Sequence, residues 1–596
     1  MRADNYKITQ YSVSSILGYV ENSQIAIPEI QRPFVWKGEE VRALIDSLYE
    51  GYPIGYLIVW QNSQVRVRNF GKGGTKKILI DGQQRVTALM AALLGKEVLD
   101  EQYQSHRIRI AFNPLAGKGE ERFAVCDTKH EEDSRWIPDI SIFFRRDFSF
   151  RQFEKEYKEA NPDEDFTPLE ESVDTLKEIV KHQVGVIELS FLLDIDVVSE
   201  IFIRINLQGK PLNQEDFVMS KISVNEQYGG DYIRNCIDYF CHLLREPSFY
   251  QVLQQNETEF FNSEYGKALT WCQNEEQSLY IPSYADVLKV VLISYFGKTR
   301  IGDLVHLLSG RDGEKKSFSK KEISKKVSEE AFEKLGAGVK AFVCEENFQG
   351  FQKALKKAGY SCSRLLYSQS VLNYCYAMYL LMYRQGIGEK ERESLLSKWI
   401  TMAMITGHYQ SGGESTVQKD YANAQEEGFA SYLAQIEELK LTDEFYNNVL
   451  PEKFTSTTAR TAPFLAYVAT QCARGVHSLY SDVTIEELYK NKTESYQILP
   501  KAYLAKCGYK TREIYGQVAN LTYVSKETKD IIRKKSPVDY KESLEKAIGI
   551  EKIRTSLKEN GLTEAIFTAN ETDVIQILAD RRRKMASEIR EFYKTL

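Results

Sequence analysis

Lys77-Ile78-Leu79-Ile80-Asp81-Gly82-Gln83-Gln84-Arg85-Val86-Thr87-Ala88-Leu89-Met90 changes its hydrophobic period in the middle. Lys77–Ile80 is a short apolar, β-branched run, whereas Val86, Leu89, Met90 and Leu93 recur at helical spacing and stop at Gly95. The pentapeptide Asp81–Arg85 is therefore expected at a strand-to-helix turn. Upstream, Tyr56–Trp60 reads as a partner strand, separated from the first by the polar segment 61–76 with its three glycines. Val41, Leu44, Ile45 and Leu48 precede Gly51 at i, i+3, i+4, i+7, which predicts a short helix, and Ser12–Tyr19 can start another. Arg107–Phe112, Glu121–Val125 and Gly185–Leu189 read as strands, and 148–182 as largely helical, so the first 225 residues are expected to be mixed α/β.

A glycine at such a turn lets backbone approach an anion, and the first N–H groups of the following helix are unpaired donors at its positive end. A phosphate can sit there. Arg85 would add a bidentate partner for its oxygens, Gln83 and Gln84 could read a base or orient water, and Asp81 could hold a metal-bound water or a ribose hydroxyl. The alternative is structural: an Asp at the helix start and an Arg paired with a neighbouring carboxylate.

Length and composition bound the rest. With 596 residues, 43% hydrophobic and 27% charged, the chain can bury several cores. Its 78 Lys+Arg against 84 Asp+Glu leave −6, so any nucleic-acid surface must be local. Apolar runs such as Val287–Phe296 fall far short of the about 20 residues that span a bilayer, and the N-terminus has no apolar leader. The nine Cys, without a C-x-x-C pair, suit a reducing compartment, and a cytoplasmic location is expected. From about Tyr228 to Phe445 the pattern is helical, with amphipathic segments 284–296, 328–342 and 372–382 and an exposed loop at 310–326. Beyond Lys453 the chain is more basic, and it ends in an amphipathic helix, 572–593, with Arg581-Arg582-Arg583-Lys584.

Four motifs occur in order: Ile27-Pro28-Glu29-Ile30-Gln31-Arg32-Pro33-Phe34-Val35-Trp36, Gly51-Tyr52-Pro53-Ile54-Gly55, Ile80–Leu89, and Phe202-Ile203-Arg204-Ile205-Asn206 with Gly209 and Leu212. This succession resembles the N-terminal domain of the GmrSD-type, modification-dependent restriction endonucleases. The resemblance implies a ParB/sulfiredoxin-like α/β domain that binds NTP with Mg²⁺ and hydrolyses it at the Asp-Gly-Gln-Gln-Arg motif. It implies catalytic roles for Asp81, Gln83 and Gln84, and nucleotide binding by Gly82, Arg85, Gln31, Arg32, Arg204 and Asn206. No metal site made by protein side chains alone is expected. Gly407-His408-Tyr409-Gln410-Ser411-Gly412-Gly413-Glu414 resembles a segment of long family members and is assigned no chemistry, His408 being read as a satisfied structural group.

Tyr496-Gln497-Ile498-Leu499-Pro500, then Val518-Ala519-Asn520-Leu521-Thr522, resemble the ββα HNH nuclease segment that ends such chains. That chemistry needs a metal ligand and a general base, and Tyr496, Gln497 and Lys529 stand where they belong. Tyr titrates near pH 10, Gln does not titrate and Lys repels a cation, so only Asn520 of the motif remains. Lys501, Lys506, Lys526, Arg533, Lys534 and Lys535 could instead meet DNA phosphates.

The expected molecule is α+β. It has a GmrSD-like nucleotide-binding domain (1–225), a helical connector (226–450), a degenerate HNH-like domain (451–560) and a C-terminal amphipathic helix (561–596). It would couple NTP binding and hydrolysis to DNA engagement in defence, as a homo-oligomer or with a defence partner protein. Rivals are a regulator that senses nucleotide without turnover and binds DNA or protein, and a nuclease that borrows a partner subunit.

Overall fold

The computed structural model describes residues 5–22, 24–26, 36–62, 76–99, 105–117, 119–193, 197–198, 201, 214–274, 278–310, 321–533, 535–568 and 573–596. It divides into two compact units, 1–213 and 214–596.

The first unit is built on one mixed sheet. β1 (Tyr6–Ser12) leads into α1 (Val13–Glu21), whose first turn is capped by the Ser12 hydroxyl accepting from the Ser15 amide at 3.1 Å. β2 (Ile25–Ala26), α2 (Gly38–Tyr49), β3 (Leu57–Asn62), β4 (Lys76–Asp81) and α3 (Gln83–Leu94) follow. After small two-stranded pieces, α4 (Thr128–Glu132), α5 (Phe150–Ala160) and α6 (Leu169–Glu178), the chain returns as β5 (Gln183–Leu189). The sheet order is β1-β5-β3-β4-β2. β5 runs antiparallel to β1 and parallel to β3, and β4 runs antiparallel to β3 and parallel to β2.

The period-2 alternation of the strands sets the two faces. Leu57, Val59, Leu79, Val184 and Val186 pack with Val41, Ile45, Val86 and Leu89 of α2 and α3 in one core. Ile58, Trp60, Ile78 and Leu189 form a smaller cluster with Leu193 and Val198. The β3–β4 register shifts between Ile58 and Val59, so that Ile58 faces Asp81 and Val59 faces Leu79. This irregularity leaves Ile80 as an extra residue immediately before the Asp81–Arg85 turn, a place where such bulges re-aim side chains.

Strands were expected at 56–60, 77–80 and 185–189, and all three are present. Arg107–Phe112 is a strand only over Ile110–Phe112, and Glu121–Val125 only over Phe123–Val125. β1 was not anticipated: its outward positions Tyr6 and Ile8 are exposed, so its composition carries no clean alternation.

The second unit is mainly helical. Its middle is Gln369–Arg384, buried throughout from Leu372 to Met382, which is why it shows no polar stripe. Tyr284–Phe296, Glu345–Lys357, Glu389–Thr406 and Ala462–Ala473 pack into the same core. The loop expected over 310–326 is shorter than that, because a helix occupies Lys321–Val343; 311–320 lie outside the described residues. The C-terminal helix is Val574–Tyr593, and its basic run is solvated only in part: Arg583 and Lys584 are exposed, Arg581 and Arg582 are not. Arg581 is 2% exposed. It donates to the carbonyls of Ala519 and Leu521, while Arg582 donates to Gln517 Oε1 at 2.8 Å.

Among the described residues no helix is long and apolar enough to cross a membrane.

Candidate functional site

Gly82 caps α3 with φ 96°, ψ 11°, a left-handed conformation that glycine adopts without strain. A Cβ there would also lie 2.2 Å from Leu57 Cδ2. The 12-residue helix behind it starts with no side-chain cap. This is the strand, glycine and helix order read from the sequence.

Arg85 sits one turn on and is committed within the unit. Its Nη2 donates to Asp81 Oδ2 at 2.9 Å and its Nη1 to the Ile54 carbonyl at 3.0 Å, with both side chains about one-fifth exposed. Gly55, at φ 85°, brings the 54–55 backbone against the guanidinium: a Cβ there would be 2.7 Å from Nη1. The pairing of Arg85 with a neighbouring carboxylate is thus present, on the same turn that offers helix-start amides. The Gln83 amide folds back to donate to the Leu79 carbonyl at 3.2 Å, and Gln84 is half-buried beside it. Gln31, Arg32, Arg204 and Asn206 lie outside the described residues.

A helix start of this kind is a place where backbone N–H groups can meet a phosphate. Asp81 and the Ile54 carbonyl take two of the five N–H donors of Arg85, which leaves three for a further acceptor. Among the described residues no group of three His, Cys, Asp or Glu could hold a metal ion. Asp81 is the carboxylate of this turn that would face a phosphate-bound cation, and it is paired with Arg85.

At the other end of β4 the sheet buries a charge cluster that sequence reading missed. Glu188 is 2% exposed and accepts from Lys77 Nζ at 2.6 Å, from Lys7 Nζ at 2.9 Å and from the Tyr11 hydroxyl. Lys77 also donates to the Tyr11 oxygen at 2.7 Å. Burial alone would raise this carboxyl; the hydrogen bonds from Lys77, Tyr11 and Lys7 reverse that and hold it at about 2. The available signal was a lone acid at an inward position of an otherwise apolar strand. Two further cations, Arg145 and Arg146, join Lys96 and Arg107 around a cavity of about 330 Å³ beyond the end of α3, marked in sequence only by an Arg-Arg pair.

In the second unit Tyr496 and Gln497 pair with Thr522 and Leu521 in a two-residue antiparallel ladder. Tyr496, Gln497 and Asn520 each have a structural partner. The Tyr496 hydroxyl, pushed up to about 12 by burial, donates to the Arg533 carbonyl at 2.6 Å. Gln497 donates to the Tyr515 carbonyl at 3.2 Å and accepts from the Lys501 amide at 3.2 Å. Asn520 is fully buried: its Oδ1 accepts from the Leu499 amide at 2.9 Å, and its Nδ2 donates to the Leu499 and Tyr515 carbonyls at 2.9 and 3.0 Å. Lys529 is half-buried in the helix Lys526–Ile532. Lys501, Lys506, Lys526, Arg533 and Lys535 are exposed, Lys501 lying 4.8 Å over the Tyr515 ring; Lys534 is outside the described residues. His408, read as structural, contacts Asp420 Oδ2 at 2.8 Å and Lys440 Nζ.

Residues 13–223 match the family model of the GmrSD restriction endonuclease N-terminal domain. No curated protein matches the chain.

Proposed function

We propose, from the premise that residues 13–223 belong to the GmrSD restriction endonuclease family, that this restriction-type protein binds NTP at the Gly82 turn, hydrolyses it, and couples the cycle to DNA engagement. The observation that carries the reading is the left-handed Gly82 opening an uncapped helix with Arg85 one turn on. Phosphates would take the amides of the α3 start and draw Arg85 from Asp81. Asp81 would then be free to orient a phosphate-bound Mg²⁺ or its water, and Gln83 and Gln84 would position the attacking water. Because Arg85 also holds the Ile54 carbonyl, its movement loosens the 54–55 segment, which gives nucleotide arrival a mechanical consequence.

Arg85→Ala is expected to lower NTP affinity roughly ten- to a hundredfold, as for a lost charge-assisted contact of about 1.5–3 kcal/mol. Equilibrium binding with each of the four NTPs checks it. A folded variant with unchanged affinity removes the site. Asp81→Asn should bind NTP at least as well without metal, since a carboxylate facing phosphates and holding Arg85 is gone, yet turn it over slowly with Mg²⁺. Equal phosphate release by the two proteins would reject the role of Asp81. The committed state of Arg85 also favours a second reading, nucleotide sensing without turnover, and the same phosphate-release assay with and without DNA separates the two.

The nuclease-like positions supply neither base nor metal ligand, so the chain alone is expected not to cut DNA through 496–533. If this surface meets DNA, neutralising Lys526 and Lys535 should weaken binding to all sequences alike. The slope of log K against log salt should then fall by roughly one unit per lost phosphate contact. Metal-dependent cleavage that persists in Arg85→Ala but vanishes on deleting 453–540 would overturn this.

A further inference from the structure

A cavity of about 630 Å³ in the second unit lies where the 407–413 turn meets the start of the helix Gln369–Arg384. Its volume falls within the roughly 300–1,000 Å³ of small-ligand sites. Three tyrosines line it: Tyr374 and Tyr409, 6% and 7% exposed with ring centroids 5.1 Å apart, and Tyr367 at its rim, 39% exposed. Gln410, Ser368 and Glu414 add polar groups.

The turn that forms one wall is anchored from behind. His408, between two lining residues, points away into a buried network: its Nε2 contacts Asp420, Tyr432 donates to the other Asp420 oxygen at 2.8 Å, and Lys440 approaches Nδ1. Trp399 Nε1 donates to the Tyr409 hydroxyl at 3.2 Å. Gly413 backbone packs on the Tyr374 ring so closely that a Cβ would lie 3.1 Å from it. A wall held this way is set before a ligand arrives, which lowers the ordering cost of binding.

The lining selects a chemistry. No Lys or Arg is among the lining residues, so the cavity offers no charge partner to a phosphate. Lys289 is bound to the lining residue Glu414 and donates to the Thr299 carbonyl at 2.6 Å. Flat aromatic faces accept a planar ring, and the polar groups offer acceptors: the Glu414 oxygen that Lys289 does not hold, the Gln410 amide oxygen and hydroxyl oxygens. A planar heterocycle with amino donors meets both demands, as cytosine, adenine and guanine do, whereas thymine has no exocyclic amine. We propose that this cavity binds an amino-bearing nucleobase, stacked against the tyrosines and read by Glu414 and Gln410. The base comes either from a free nucleoside or nucleotide or from an extrahelical position in DNA. The site is separate from the Gly82 turn and does not depend on the nucleotide reading there.

The test uses the full chain and two probes: the four free deoxynucleosides, which carry no phosphate for the Gly82 turn, and a duplex with one mismatched 2-aminopurine. Calorimetry should detect deoxycytidine, deoxyadenosine or deoxyguanosine below about 1 mM, with thymidine at least roughly tenfold weaker. Glu414→Gln and Tyr367→Ala, both at partly exposed positions, should each lower that affinity by about tenfold or more without changing the melting temperature, and Arg85→Ala should leave it intact. Changed 2-aminopurine fluorescence that is lost in the same variants identifies DNA as the source; nucleoside binding without it identifies the free ligand. The proposal falls if neither probe responds, if thymidine binds as well as the others, or if both folded variants bind like the wild type.

Discussion

Glu188→Gln is expected to remove about 3 kcal/mol from the first unit at neutral pH, and with it the part of that unit's acid sensitivity that Glu188 carries. The carboxyl is held at about 2 against an ordinary 4.5, and a displacement of that size corresponds to about 3 kcal/mol of preference for the charged form in the folded state. The folded value is the depressed one, so this stability is present above about pH 4.5 and lost as pH falls toward 2. The same contacts raise the Lys77 ammonium above its usual range despite the burial that opposes it. In the variant Lys77 and Lys7 keep their charges without a counter-charge, and the acid-dependent loss should flatten. Hydrogen exchange along the β1–β5 ladder, followed from pH 6 to pH 2, reads both effects. Parallel pH profiles for the two proteins would show that Glu188 is not the group that titrates. Lys77 is the second residue of β4 and Asp81 its last, so loosening the cluster loosens the strand that presents the Asp81–Arg85 turn.

Asn520→Ala is expected to cost on the order of 3 kcal/mol in the second unit. The amide makes three hydrogen bonds at a fully buried position, each worth about 1 kcal/mol net, and its removal strands the Leu499 amide and carbonyl. Asn520→Asp should be at least as damaging, because a carboxylate keeps the bond from the Leu499 amide but turns an acceptor toward the carbonyls of Leu499 and Tyr515. Thermal melts with limited proteolysis across 496–533 check the order. An Ala variant within about 0.5 kcal/mol of the parent, or an Asp variant more stable than it, would show that this amide is not what joins the hairpin to the 515–520 segment. The bonding capacity of this buried amide is spent on backbone.

How much could be read before folding depended on whether the signal was local. The change of period around Gly82 places a strand, a turn and a helix from neighbouring residues alone, and α2 follows from Val41, Leu44, Ile45 and Leu48 in the same way. Arg85 was legible as a residue one turn into a helix. Its ion pair with Asp81 was only an alternative at that stage, because a short i, i+4 pair and an outward-facing arginine are written identically in sequence. The bond to the Ile54 carbonyl joins positions 31 residues apart and has no sequence signature. Arg581 shows the same limit more sharply: inside Arg-Arg-Arg-Lys it looks like part of a solvated charge run, yet it is buried against carbonyls some 60 residues upstream.

By itself the sequence determined the period-encoded elements and the glycine at the α3 start, because both are written in neighbouring residues. Only the tertiary structure decided which charges are spent. Burial turns Glu188, Asn520 and Arg581 into structural connectors by removing water and leaving distant donors and acceptors as their partners. It also decided that Tyr367, Tyr374, Tyr409 and Glu414, from two stretches of chain, share one cavity, because helix packing sets which side chains converge and local sequence does not.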